Sequence, residues 1–391
     1  MKIAFITIYF PPIAGGEGNN AYFLARELAK KHEVHIYTAD RRGDSILKKE
    51  ENLNGIKIHR YTPDIHKGYH FLFSIKMIRD LNKESFDVMH FCSFGVIQND
   101  LILLKKLKKG GRTVFINTPA HPSFSFDYPF PKNLIVNYIK KIEREKINPR
   151  YDKIIAISEN QDKWMKEWGV KKEKIALVPP GINKENFRRT NKKRIGEKLG
   201  ILNHKIIGYV GRIQEYKGLS QIIEALPRIK KEVRNVKVLF IGSDSYYKEE
   251  LIKLAKKLDL EKDVVFTGEV SEKEKIDLLS IMDVFVLPSK IEGFGIVMLE
   301  AMAQQVPIIS TKTDGGNFLI KNNENGFLYD FGKIKDLERD IIKLLTDEKL
   351  RKKIIKNNLK KAGNFLWSNQ AKKLEEIYKE ELRKIKDDKA L

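Results

Sequence analysis

The sequence has a single cysteine, Cys92, in 391 residues. An internal disulfide and a cysteine-rich zinc centre are therefore excluded. No apolar run approaches the roughly 20 residues that span a bilayer. The opening MKIAFITIYFPP is too short for a secretory signal and reads as a first strand, so a cytoplasmic protein is the expectation. No Asp-x-Asp pair occurs, which leaves a divalent ion without an evident holder, and no metal site is expected. HEVH at 32–35 is not HExxH and opens a strand, and GGEGNN lacks the GxGxxG spacing of a nicotinamide site. No cofactor is expected. Acidic residues are in deficit, 52 against 74 Lys and Arg, giving a formal charge of +22 and a pI near 9.6. Such a chain favours anionic partners: phosphates, nucleic acid or acidic lipid. Richness in Lys, Glu and Ile is also the style of heat-adapted proteins, which weakens that inference.

What is present is alternation. KIAFITIYF, EVHIYTAD, FDVMHFCS, TVFINTP, KIIAIS and KIALVPP are strand-like, with helical spacing such as NAYFLARELAKK between most of them. Apolar strands separated by helices imply parallel sheets covered on both faces. The polar segment 183–205 looks like a connector, after which KIIGYVG, VKVLFIG, DVVFTGEV, DVFVLPS and VPIISTK restart the pattern. At this length two domains are the natural expectation. The fold class is α/β, with two Rossmann-like doubly wound domains facing across a cleft. The divisions are 1–182, the connector 183–205, 206–363, and a terminal helix 364–391 returning to the first domain. Ligands of such sheets sit at the carboxyl ends of strands, so the cleft is the expected site.

Two stretches carry chemistry. In GRIQEYKG, Arg212 and Lys217 follow a strand, a place poorly suited to packing and well suited to a diphosphate. Two solvated loop charges are the other reading. In SKIEGFGIVMLEAMA, Glu292 precedes a tight loop and Glu300 lies about one turn into an apolar helix where nothing nearby in the sequence neutralises it. Gly293 and Gly295 let backbone approach a ligand, and the helix start offers free N–H groups. A buried carboxylate is costly unless paired or hydrogen-bonded, and ribose hydroxyls supply donors. A first-turn glutamate favoured by the helix dipole is the alternative.

Arg-x4-Lys-Gly after a strand, followed by Glu-Gly-Phe-Gly-x4-Glu, resembles the retaining glycosyltransferases of family 4, with the GT-B fold. PPIAGGEGNNAYFLARELAKKHEV, SENQDKWMKEWGV, KIALVPPGIN, TGEV at 267–270 and NFLWSNQAKKLEEIYKEEL extend the resemblance along nearly the whole chain. The resemblance implies a nucleoside-diphosphate sugar as donor substrate. Arg212 and Lys217 would hold its diphosphate and Glu300 its ribose. Glu292 would bond the transferred sugar, helped by N–H groups around Phe294, Gly295 and Ile296. Gly15 and Gly16 would let the first loop approach donor or acceptor. Val270 would offer backbone contacts to the base, and His121, in NTPAHPSF, would contact the donor sugar. Pro180 in VPPGIN departs from the family's asparagine and receives no role. The acceptor is left unidentified.

The aromatics Phe124, Phe126, Tyr128 and Phe130 suit an acceptor site, a membrane contact or one face of a buried segment. A helix over 132–150 has apolar and basic sides, suiting either a sheet cover or peripheral contact with an anionic membrane. The alternatives to a transferase are a sugar-nucleotide epimerase or phosphorylase on the same fold, or a basic membrane or nucleic-acid binding protein. The last leaves Glu292 and Glu300 without purpose, and no nucleic acid partner is expected.

Overall fold

The computed structural model describes all residues except 13–15, 43–44, 68–70, 110–112, 120–130, 245 and 388–391. The chain divides into two compact units, one of residues 1–180 with 367–391, the other of residues 181–366.

The first unit is built on an eight-stranded sheet. Its strands begin with β1 (Lys2–Ile6) and β2 (Glu33–Ala39); the ribbon β3 (Arg41–Arg42) and β4 (Ser45–Ile46) stands apart from it. Next come β5 (Glu50–Leu53) and β6 (Ile56–Tyr61), then a second separate ribbon of β7 (Ile65–Lys67) and β8 (Phe71–Phe73). Strands β9 (Val88–Cys92), β10 (Val114–Thr118), β11 (Lys153–Ala156) and β12 (Ile175–Leu177) complete it, in the order β12-β11-β10-β9-β1-β2-β6-β5. All pairings are parallel except β5 with β6, a hairpin that the alternation did not single out. β1, β9 and β10 are buried throughout or nearly so, as expected where helices cover both sheet faces. The helices of this unit are α1 (Gly16–Leu28), α2 (Ile75–Lys83), α3 (Ile97–Lys109), α4 (Lys132–Ile142) and α5 (Asp162–Glu167).

In the second unit, residues 183–205 carry a short 3-10 turn and α6 (Lys192–Lys198). The strands β13 (Lys205–Val210), β14 (Val236–Ile241), β15 (Val264–Gly268), β16 (Val284–Leu287), β17 (Ile308–Thr311) and β18 (Phe327–Tyr329) form an all-parallel sheet in the order β15-β14-β13-β16-β17-β18. They alternate with α7 (Ser220–Glu232), α8 (Lys248–Lys257), α9 (Glu272–Ser280), α10 (Ile296–Ala303) and α11 (Asp314–Leu319); α12 (Ile334–Thr346) and α13 (Glu348–Gly363) follow. The strand order reverses between β13 and β16, which makes their carboxyl ends the switch point where doubly wound sheets take ligands.

The last helix, α14 (Trp367–Asp387), belongs to the first unit and packs on α1. Trp367 stacks on Phe23 with ring centroids 5.1 Å apart. Deeper in, the Tyr378 hydroxyl lies 2.5 Å from His90 Nδ1, and Thr118 Oγ1 lies 2.6 Å from His90 Nε2. Burial holds this imidazole neutral, lowering it to about 3.

Candidate donor site at the sheet switch point

The two loops at the switch point are fixed by backbone before any charge is considered. After β13, the Arg212 carbonyl accepts from the Tyr209 hydroxyl at 2.9 Å. A 3-10 turn then runs over Glu215–Lys217 and ends on Gly218, whose φ of 67° lies in the left-handed region. A Cβ at Gly218 would fall 2.3 Å from the Pro288 carbonyl, so only glycine permits this approach of the loops. Lys290 N–H donates to the Tyr216 carbonyl at 2.8 Å, and Gln221 Nε2 donates to both the Gly218 and Pro288 carbonyls at 3.2 Å.

Upon that frame Lys217 Nζ meets Glu292 Oε2 at 2.8 Å. Both side chains are withdrawn from water, with 14% and 18% of their surfaces exposed, so the pair is more than a solvated surface contact. Lys217 also stands over the Tyr216 ring, 4.9 Å from its centroid. Arg212 shares the loop, but it is exposed, and its guanidinium reaches the Tyr216 hydroxyl at 3.3 Å rather than Glu292. Each loop holds one polar atom buried with no partner among the described residues: Gln214 Oε1 and Ser289 Oγ.

Between the two glutamates, Phe294 is buried against Phe318 and Phe365, and Gly295 caps α10 with a left-handed φ of 75°. No side chain caps α10, so amides of its first turn, beginning at Ile296, are open to an anion. Gly315 N–H donates to the Glu292 carbonyl at 3.0 Å and thereby ties this loop to α11.

Glu300 requires a correction. It is buried on α10 as expected, but it is not left without a neutralising partner. Lys275 Nζ, from α9, lies 2.8 Å from Glu300 Oε1. Burial pushes the Glu300 carboxyl above its ordinary value, and Lys275 works against that rise. Burial alone would lower Lys275, but the charges of Glu300 and Glu272 outweigh it and raise the amine. Lys275 thus opposes the loss of the Glu300 charge that burial favours.

The remaining candidates fall elsewhere. Val270, half-buried in the turn between β15 and α9, borders a cavity of about 570 Å³ whose rim includes Arg194, Lys198 and Lys273; none of Arg212, Lys217, Glu292 or Glu300 lines it. Gly16 is the exposed first residue of α1, and a Cβ there would meet nothing within 4 Å, so no close approach in this structure demands glycine. Gly15, His121 and the aromatics Phe124, Phe126, Tyr128 and Phe130 lie outside the described residues. Among the described residues no cluster of three or more His, Cys, Asp or Glu could hold a metal ion.

Two α/β units, the second with charged loops at the switch point of an all-parallel sheet, find their class in comparison with known proteins. The model of the glycosyl transferases group 1 matches residues 191–361, and that of glycosyltransferase family 4 matches residues 14–186. A glycosyltransferase of Methanocaldococcus jannaschii is 28% identical over 97% of this chain and 98% of its own length. The N-acetyl-alpha-D-glucosaminyl L-malate synthase of Bacillus anthracis is 25% identical over 89% of this chain and 88% of its own. Among solved structures, Anabaena HepE in complex with UDP and glucose superposes with a TM-score of 0.76 at 17% identity, covering 97% of this chain and 100% of that one. The fold is that of the GT-B glycosyltransferases. The chain belongs to glycosyltransferase family 4 and is a transferase enzyme.

Proposed function

We propose that the chain is a retaining glycosyltransferase that moves a hexose-type sugar from a nucleoside diphosphate to an acceptor hydroxyl without a bound metal ion. The observation that carries this reading is the Lys217–Glu292 pair at the switch point, beside the uncapped start of α10. A cation, a carboxylate and free helix amides at one strand tip suit a phosphorylated sugar: positive groups for the diphosphate, an acceptor for sugar hydroxyls. The Anabaena relative in fold binds UDP and glucose, which favours a donor of this type.

On this reading Lys217 leaves Glu292 when the donor arrives and, with Arg212 and the amides at Ile296, takes charge developing on the departing diphosphate. Preorganised positive groups of this kind are commonly the largest contribution to catalysis, and they make a divalent ion unnecessary. Glu292, released from its lysine, bonds the hydroxyls of the sugar with help from N–H groups around Phe294 and Gly295. Glu300 accepts from the ribose, and Val270 offers backbone to the base. The leaving phosphate itself takes the acceptor proton, so retention at the anomeric carbon needs no separate protein base.

The test is a panel of labelled UDP-, GDP- and ADP-sugars, scored for slow donor hydrolysis with and without EDTA. Hydrolysis of one donor, indifferent to chelation and lost in Glu292→Gln with nucleotide affinity retained, is the expected result. Turnover that EDTA abolishes removes the metal-independent mechanism. Unchanged turnover in Glu292→Gln removes Glu292 from the site.

A second observation favours peripheral contact with an anionic membrane. On α4, Leu134 and Tyr138 stand one turn apart with 58% and 66% exposure, and Lys140 and Lys141 follow in the last turn. Large apolar side chains beside lysines suit the boundary of an acidic bilayer. Among the described residues no helix is long and apolar enough to cross one. Flotation with anionic liposomes at low salt checks the contact, and a Leu134→Glu/Tyr138→Glu chain that floats as well as the wild type contradicts it.

A further inference from the structure

Lys275 occupies an unusual position on α9. Its amine lies 2.8 Å from Glu300 Oε1 and 2.8 Å from Glu272 Oε2, so one lysine bridges a buried carboxylate and an exposed one. A capping box between Ser271 and Glu274 fixes the start of α9, and hence the place from which Lys275 reaches. Only Oε1 of Glu300 is engaged; Oε2 has no hydrogen bond among the described residues and is not sealed from solvent. The charged side chains acting on Glu300 are Lys275 and Glu272, both from α9.

We propose that Lys275 is the positioning residue that sets the donor site's requirement for a ribose, holding Glu300 charged with one oxygen fixed so that its remaining acceptor capacity takes the sugar's vicinal hydroxyls. The inference rests on the donor reading given above. Its physics is simple. A carboxylate buried without a partner gives up its charge. A neutral carboxyl forfeits the stronger, charge-assisted hydrogen bonds to hydroxyls. With the lysine in place the carboxylate keeps acceptor sites free after one has been taken. A lysine that merely ties α9 to α10 would affect stability without altering which nucleotide binds.

The experiment titrates UDP, GDP and ADP and their 2′-deoxy counterparts into the full chain between about pH 6 and pH 9, a range that leaves ordinary carboxylates ionised. The wild type should prefer the ribonucleotide by about ten-fold or more at every pH, the worth of one charge-assisted hydrogen bond. Lys275→Met should lose that preference at the acid end and regain it as the pH rises and Glu300 ionises. Lys275→Arg should keep it throughout. Infrared difference spectra of Lys275→Met against Lys275→Met/Glu300→Gln read the same ionisation without nucleotide, through a protonated-carboxyl band. Absence of that band at neutral pH overturns the charge-holding role, whatever binds. A band accompanied by an unchanged ribose preference overturns the ribose role. If none of the three nucleotides binds the wild type, the donor reading falls and this inference with it.

Discussion

Lys217 and Glu292, 75 positions apart in sequence, meet at 2.8 Å where the strand order of the second sheet reverses. On the proposed donor reading, each occupies the place a ligand group would take from the other, and the pair opens when the anion arrives. Replacing Lys217 by Met should therefore harm turnover far more than folding. By analogy with a lost oxyanion donor, the barrier should rise by about 3–4 kcal/mol, or roughly 10²–10³-fold in kcat. Donor hydrolysis and a thermal melt of the same sample check this; turnover within about three-fold of the wild type would remove Lys217 from the mechanism.

Gly315 permits the loop between the glutamates to sit where it does. A Cβ there would lie 2.3 Å from the Phe294 carbonyl, against backbone that has no side-chain rotamer to change. Gly315→Ala should push residues 292–295 away from α11 and cost about 1–3 kcal/mol, as overpacking does. Urea unfolding measures the cost. A variant as stable as the wild type, with undiminished turnover, would show the loop to be freer than its geometry indicates.

The positions of these residues in the fold were open to reading from the chain alone, and the reason is topological. Arg212, Lys217, Glu292 and Gly295 all follow strands, and strand tips are where α/β sheets gather their ligands. Glu300 could be placed in a buried helix because IVMLEAMA is apolar on nearly every side.

Its partner could not be read so easily. Lys275 stands in SEKEKIDLL, where lysine and glutamate alternate as on any solvated helix start. The available clue was periodicity: Lys275 precedes Leu278 and Leu279, on the inward stripe, by three and four residues. The β5–β6 hairpin carries a stronger mark. Asn54-Gly55, with φ of 54° and 81°, is the two-residue turn such hairpins prefer. Nothing local could announce the hydrogen bond between half-buried Asp100 and buried Glu143, since each belongs to a different helical segment.

That pair yields a pH prediction. Burial raises Asp100 from 3.8 to about 7, and burial together with the Asp100 charge raises Glu143 well above its ordinary 4.5. Folded chains thus keep protons that unfolded chains have released. The associated stability is complete below the ordinary carboxylate range and is lost as the pH climbs through the folded values, by up to about 1.4 kcal/mol per pH unit for each proton. Glu143 Oε1 accepts from Gly95 N–H at 3.1 Å, a bond that Glu143→Gln can retain. The variant should gain on the wild type in melting temperature steadily from about pH 5 upward. A constant difference across that range would contradict the retention of these protons in the folded chain.

In the first unit, α14 is held by a polar contact inside an apolar seam. Trp367, Ala371, Leu374 and Tyr378 are buried together, yet the Tyr378 hydroxyl spends its hydrogen bond on His90. Tyr378→Phe preserves the packing and leaves the imidazole nitrogen without its partner, at a cost of about 1–3 kcal/mol. Tyr378→Ala adds a cavity and should cost about 3–5 kcal/mol, as large aromatic truncations do. Acid separates the two effects. Because burial holds His90 at about 3 against an ordinary 6.5, the stability it contributes is present above 6.5 and lost as the pH falls toward 3. If Tyr378→Phe lets water reach the imidazole, its folded value rises and the acid loss becomes shallower than in the wild type. Parallel acid limbs in the two chains would show that burial alone, without the tyrosine hydroxyl, keeps His90 neutral.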